Sequence, residues 1–124
     1  MSDARWAEIE ADATAAADHF FRAAQIYREP GLHAQNLDGY MRRMAFMHAI
    51  QAGHTSLERA LIRVLELQGE EAPSGRQWHA DLISRAGRRG ESRPAILPPE
   101  LVRAADRTRK FRHVATDAYD TFDP

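Results

Sequence analysis

No stretch of this chain alternates apolar and polar residues with period two, which argues against any half-buried sheet. Apolar residues recur instead every three or four positions, the spacing that turns one face of an α-helix toward a core. β-Branched residues are few, with six Ile, three Val and five Thr among 124 residues, and alanine is abundant. The chain therefore reads as all-α.

Ser2 or Asp3 can cap a first helix whose inner face is Trp6, Ile9, Ala13, Ala16, Phe20, Ala24 and Tyr27, ending before Pro30-Gly31. A loop over residues 32–36 leads to a second helix from about Asp38 to Gln68. Its buried stripe is Tyr40, Met44, Met47, Leu57, Leu61, Val64 and Leu65, Gly53 marks a bend, and Gly69 ends it. Ser74, in the turn over residues 70–75, caps a third helix of Trp78, Leu82 and Ile83 that stops at Gly87 or Gly90. An extended basic connection, residues 88–97, tucks Ile96 and Leu97 against the core.

Pro98-Pro99 then opens a fourth helix, since proline's fixed φ suits a first turn and its missing donor costs nothing there. Leu101, Ala105, Thr108, Phe111, Ala115, Ala118 and Phe122 form its apolar face. Four helices joined by short loops predict an antiparallel up-and-down four-helix bundle, with residues 1–124 as one domain.

The chain has no cysteine, so disulfides, thiolate metal sites and cysteine nucleophiles are excluded. No apolar run approaches the ~20 residues of a membrane span, and Met1-Ser2-Asp3-Ala4-Arg5 is too polar for a signal peptide. A cytoplasmic protein without membrane contact is the expectation.

The formal net charge of −1 hides an asymmetry. Residues 85–112 hold nine basic and three acidic side chains, a balance of +6, while the rest of the chain stands at −7. An anion site on an acidic protein has this signature, and so has a solvated arginine-rich helix paired with acidic surface. Arg112 and Tyr119 lie nearly two full turns apart and hence on one side of the fourth helix, a cationic fork with a phenol beside it.

Six histidines are present: His19, His33, His48, His54, His79 and His113. None makes a His-Glu-x-x-His pair or a repeated Glu-x-x-His pattern, so neither a metal nor another cofactor is expected. His48 and His54, six residues apart, read as core or interface groups, and His79 after Trp78 as a structural hydrogen-bonding residue. Met41, Met44 and Met47 read as helical core packing. His113 differs, because it follows Arg112. Metal-free ribonuclease chemistry needs a base for the 2′-hydroxyl proton and a cation for the charged phosphorane, and histidine and arginine suit these roles. On an ideal helix the two side chains diverge by about 100°, so sharing one phosphate calls for a distorted helix or a second chain.

The stretch Arg93-Pro94-Ala95-Ile96-Leu97, the helix after it, and Phe111-Arg112-His113-Val114 with Ala118-Tyr119-Asp120 resemble the C-terminal half of HepT-like proteins of the HEPN superfamily. Leu57-Glu58-Arg59 and Pro73-Ser74-Gly75-x-x-Trp78-His79-x-x-Leu82-Ile83 resemble the same family's middle section, and the likeness covers about residues 40–122. The resemblance implies a HEPN four-helix bundle that dimerises around a shared cleft. It further implies a metal-independent endoribonuclease toxin restrained by an MNT-type nucleotidyltransferase antitoxin.

The family pattern of Arg, four residues, His, one residue, Tyr falls on Arg112 and Tyr119, but Asp117 stands in the histidine position. An aspartate with a reference pKa near 3.9 is an ionised acceptor at neutral pH, cannot serve as an acid, and repels a phosphate. It can pair with Arg109 or Arg112, and it acts as a general base only if burial raises its pKa. His113 is placed to substitute in part. By the resemblance, Arg112, His113, Asp117 and Tyr119 are the catalytic candidates and Arg107, Arg109 and Lys110 the RNA-binding ones. Tyr119 is also the family's target for AMP transfer by the antitoxin, or alternatively packs at the dimer seam. The expected function is a toxin subunit weakened or inactivated at Asp117. A non-catalytic helical module that binds a nucleotidyltransferase-like partner is the alternative, and a bundle that only binds RNA a third.

Overall fold

A computed structural model describes the backbone of residues 4–121 and the side chains of residues 4–113. Four helices are present: α1 over Ala4–Arg28, α2 over Leu37–Leu67, α3 over Trp78–Ala86 and α4 over Pro99–Thr121. No strand occurs among the described residues, and the chain is an all-α helical bundle as expected. None of these helices is long and apolar enough to cross a membrane. The expected caps Ser2 and Asp3, and the side chains of Ala115, Ala118 and Phe122, lie outside the described residues.

Local chemistry sets the boundaries. Asn36 is extended and its side chain accepts the Gly39 N–H at 2.9 Å, satisfying one of the orphan donors that start α2. At the other end Gly69 takes φ +77°, the Gly69 N–H reaches the Glu66 carbonyl and the Glu70 N–H the Leu65 carbonyl. These two bonds are a Schellman closure, which glycine enters without a Cβ penalty. α3 departs from expectation: its N-cap is Gln77, without a side-chain cap bond, and not Ser74. It spans only nine residues before its C-cap Gly87.

α1 and α2 form an antiparallel hairpin. Contacts run from Glu29–Arg42 near the loop, through Tyr27–Phe46, to Arg63 with Glu8 and Asp12 at the far end. α4 returns along α3, because Gly87 at the end of α3 lies against Val102 while His79 at its start shares a partner with Arg112. Leu61 and Leu65 of α2, Leu82 and Ala86 of α3 and Leu97 make the buried centre, with Trp78, Ile96 and Val102 packed around it. The Ile96 and Leu97 N–H groups both donate to the Ala86 carbonyl, at 2.8 and 3.0 Å, so they tuck in as the sequence predicts.

Several expected core residues face out. Trp6, Tyr27, Tyr40, Met41 and Leu101 are about half exposed or more, and Ala13 is exposed, whereas Ala23, Ala49 and Ala60 are buried. α1 touches only α2 at backbone level, so a narrow stripe of Ile9, Ala16 and Ala23 is all that it buries fully. α2 is continuous through Gly53. The role of this glycine is close approach: a Cβ there would stand 2.9 Å from the Phe20 ring. Gly53→Ala gains about 1 kcal/mol of helix propensity and loses about 1–3 kcal/mol to overpacking. A net loss of about 1 kcal/mol, or roughly 4 °C in Tm, is expected by thermal unfolding, with recovery in Gly53→Ala/Phe20→Leu.

Candidate functional site

His54 and Glu58 are one turn apart on α2, and with Leu61 and Leu65 they form a single stripe facing the core. A carboxylate in such a stripe must be paired, since an unpartnered buried charge is very costly. Glu58, 4 % exposed, is paired on three sides. Its Oε1 accepts from Arg112 Nη1 of α4 at 3.0 Å, and its Oε2 accepts a short bond from His79 Nδ1 of α3. His54 Nε2 approaches the same carboxylate at 3.4 Å, a long contact whose geometry falls short of a full hydrogen bond.

The far side of His54 is anchored as well. Thr108 of α4 donates its hydroxyl proton to the Ala105 carbonyl at 2.9 Å, so at 2.8 Å from His54 Nδ1 it acts as acceptor and fixes a proton on that nitrogen. Burial alone raises the Glu58 pKa, but its contacts with His54 and His79 outweigh it, so the carboxyl stays below its ordinary 4.5. One ionised carboxylate therefore ties α2, α3 and α4 together.

Above this network lies an open cleft of about 410 Å³, lined by His54, Arg76, His79, Arg109, Arg112 and His113 among others. Arg76 comes from the turn before α3, His79 from its first turn, and Arg109, Arg112 and His113 from α4. Arg112 and His113 thus share a cleft within one chain, without a helix break between them. Of the two, Arg112 reaches inward to Glu58, while His113 is exposed. Among the described residues no group of three or more acidic or imidazole side chains is placed to hold a metal ion.

The other candidates are placed as follows. Arg109 lines the cleft and pairs with Asp106 at 2.8 Å, which holds the Asp106 carboxyl below its usual range. Lys110 is exposed, outside the cleft lining, and paired with the same Asp106 at 3.2 Å. Arg107 is exposed and likewise outside the lining. The side chains of Asp117 and Tyr119 lie outside the described residues. Arg109 and Arg112 both have acidic partners, Asp106 and Glu58.

A family model described as HepT-like protein matches residues 45–124. The chain belongs to the HepT-like family. This HepT-like protein of the HEPN superfamily has no significant match among curated proteins or solved structures. The matched span contains α3, α4 and all of Glu58, His79 and Arg112, so the network is built wholly within the family region.

Sequence reasoning missed Arg76, His79, His54 and Glu58 as parts of the site. The signal for the last two was available: a histidine and a glutamate interrupt the apolar stripe that continues as Leu61 and Leu65, and buried polar groups demand partners. Glu58→Gln removes the negative charge and one of the two oxygens that accept from Arg112 and His79, so it should cost about 2 kcal/mol at neutral pH. Since the folded pKa is depressed, that contribution is present above the unfolded value of 4.5 and is lost as pH falls through the lower folded value. Denaturant unfolding of both forms is expected to show a constant gap above pH 5 that closes in more acid solution; a gap independent of pH would contradict the pairing.

Proposed function

We propose that this HepT-like protein is the toxin subunit of a HEPN/MNT toxin–antitoxin pair, acting on RNA in the cytoplasm. Its cleavage is metal-independent, and slow because Asp117 occupies the motif histidine position. The observation that carries this reading is the convergence of three arginines, Arg76, Arg109 and Arg112, with two imidazoles, His79 and His113, on one cleft. Guanidinium forks match phosphate oxygens, and imidazoles exchange protons near neutral pH, so a phosphodiester is the substrate class this lining suits. Family membership supports the same chemistry. Homodimerisation, restraint by an MNT-type nucleotidyltransferase and AMP transfer to Tyr119 belong to this proposal.

The decisive experiment is cleavage of a mixed RNA pool without added metal. The unaltered chain should cleave slowly, Asp117→His at least about tenfold faster, and Arg112→Ala in that background about 100-fold slower again, the scale of losing one preorganised donor to a charged transition state. If neither the unaltered chain nor Asp117→His cleaves, the ribonuclease reading is wrong and a non-catalytic module that binds a nucleotidyltransferase takes its place.

A further inference from the structure

His79 is held more firmly than a cleft-lining histidine needs to be. Its Nδ1 donates to the Glu58 carboxylate, and its ring stacks on Trp78 with centroids 3.6 Å apart and planes inclined by 30°. A carboxylate that accepts from Nδ1–H selects the tautomer whose lone pair is on Nε2, the nitrogen left for the cleft that His79 lines. The side chain keeps 37 % exposure, so a substrate can reach it. The other oxygen of Glu58 holds Arg112, and this one buried group therefore fixes an imidazole and a guanidinium side by side at the cleft floor. The arrangement repeats the logic of a carboxylate-oriented histidine base next to a cation that stabilises developing charge.

From this geometry we infer that His79 is a catalytic residue of the cleft, the base that removes the 2′-hydroxyl proton of bound RNA, with Glu58 as its positioning residue. The inference rests on the ribonuclease reading above and accounts for how cleavage proceeds when position 117 holds Asp. His79 Nε2 takes the 2′-hydroxyl proton as the 2′ oxygen bonds to phosphorus. The bond from phosphorus to the 5′ oxygen breaks, and that oxygen leaves with a proton from solvent water. His79 then returns its proton to solvent. The products are a 2′,3′-cyclic phosphate and a 5′-hydroxyl, and Arg112 faces the charge that builds on the phosphoryl oxygens.

The test is metal-free cleavage of mixed RNA by the full chain and by His79→Gln, His79→Ala and Glu58→Gln, each checked for helical content and cooperative unfolding. His79→Gln is expected to lower kcat about 100-fold with KM within about threefold, the size of one general-base contribution. Added imidazole should restore part of the rate to His79→Ala but not to Glu58→Gln, which retains its own imidazole. His79→Gln cleaving within threefold of the unaltered chain overturns the inference, and so does failure of imidazole to rescue His79→Ala, the result of a purely structural role. An unaltered chain that is silent while Asp117→His cleaves overturns it too and leaves the toxin reading standing. If neither of those two forms cleaves, both readings fall together.

Discussion

A single buried carboxylate organises the functional half of this molecule. Glu58 is in a stripe that otherwise buries leucine, and a charge there persists only because three cationic or hydrogen-bonding groups surround it. Each of those groups belongs to a defined place in the bundle: His54 one turn before it on α2, His79 at the start of α3, Arg112 in the second half of α4. α3 has nine residues, too few to hold its position by helix propensity, so the His79 bond and the Leu82 and Ile83 anchors locate it. The energetic requirement that no charge be buried alone thereby becomes a geometric requirement on where the cleft residues stand.

The basic segment shows the same economy. Much of its +6 balance is turned inward or neutralised close by. Arg93 is buried and donates to the Glu70 carboxylate and to the backbone carbonyls of Arg88 and Pro94, which clamps the connection that delivers Ile96 and Leu97 to the core. Arg85 donates to the Glu71 carbonyl, and Arg109 and Lys110 share Asp106. Some of these arginines therefore brace the fold, while Arg109 and Arg112 line the cleft with Arg76 from outside the segment.

Helix order was legible because it depends on local chemistry, such as Gly69 ending α2 and proline opening α4, whereas the Asn36 cap of α2 and the Gln77 start of α3 were not foreseen. Which face of each helix is buried was less legible. Tyr27, Tyr40 and Leu101 sit at helical spacing with the true core residues yet remain exposed, since periodicity locates an apolar stripe but not which residues of a broad stripe a thin neighbour can cover. Of the site, Arg109, Arg112 and His113 were visible as a basic run beside a family motif. Arg76, in the turn before α3, carried no local mark of belonging to it, His79 read as a structural histidine, and the break that His54 and Glu58 make in the apolar stripe of α2 was the signal those two offered.

The sequence by itself determined an all-α bundle and membership in the HepT-like family. Each of these follows from residue identity and spacing along one chain. Only the tertiary structure decided that His54, Glu58, His79 and Arg112 meet, because they come from three helices whose approach is fixed by packing around Leu65 and Leu82. The physical reason is that pairing of a buried charge is a property of the space around it, and that space is assembled from segments more than 50 residues apart, as Glu58 and Arg112 are.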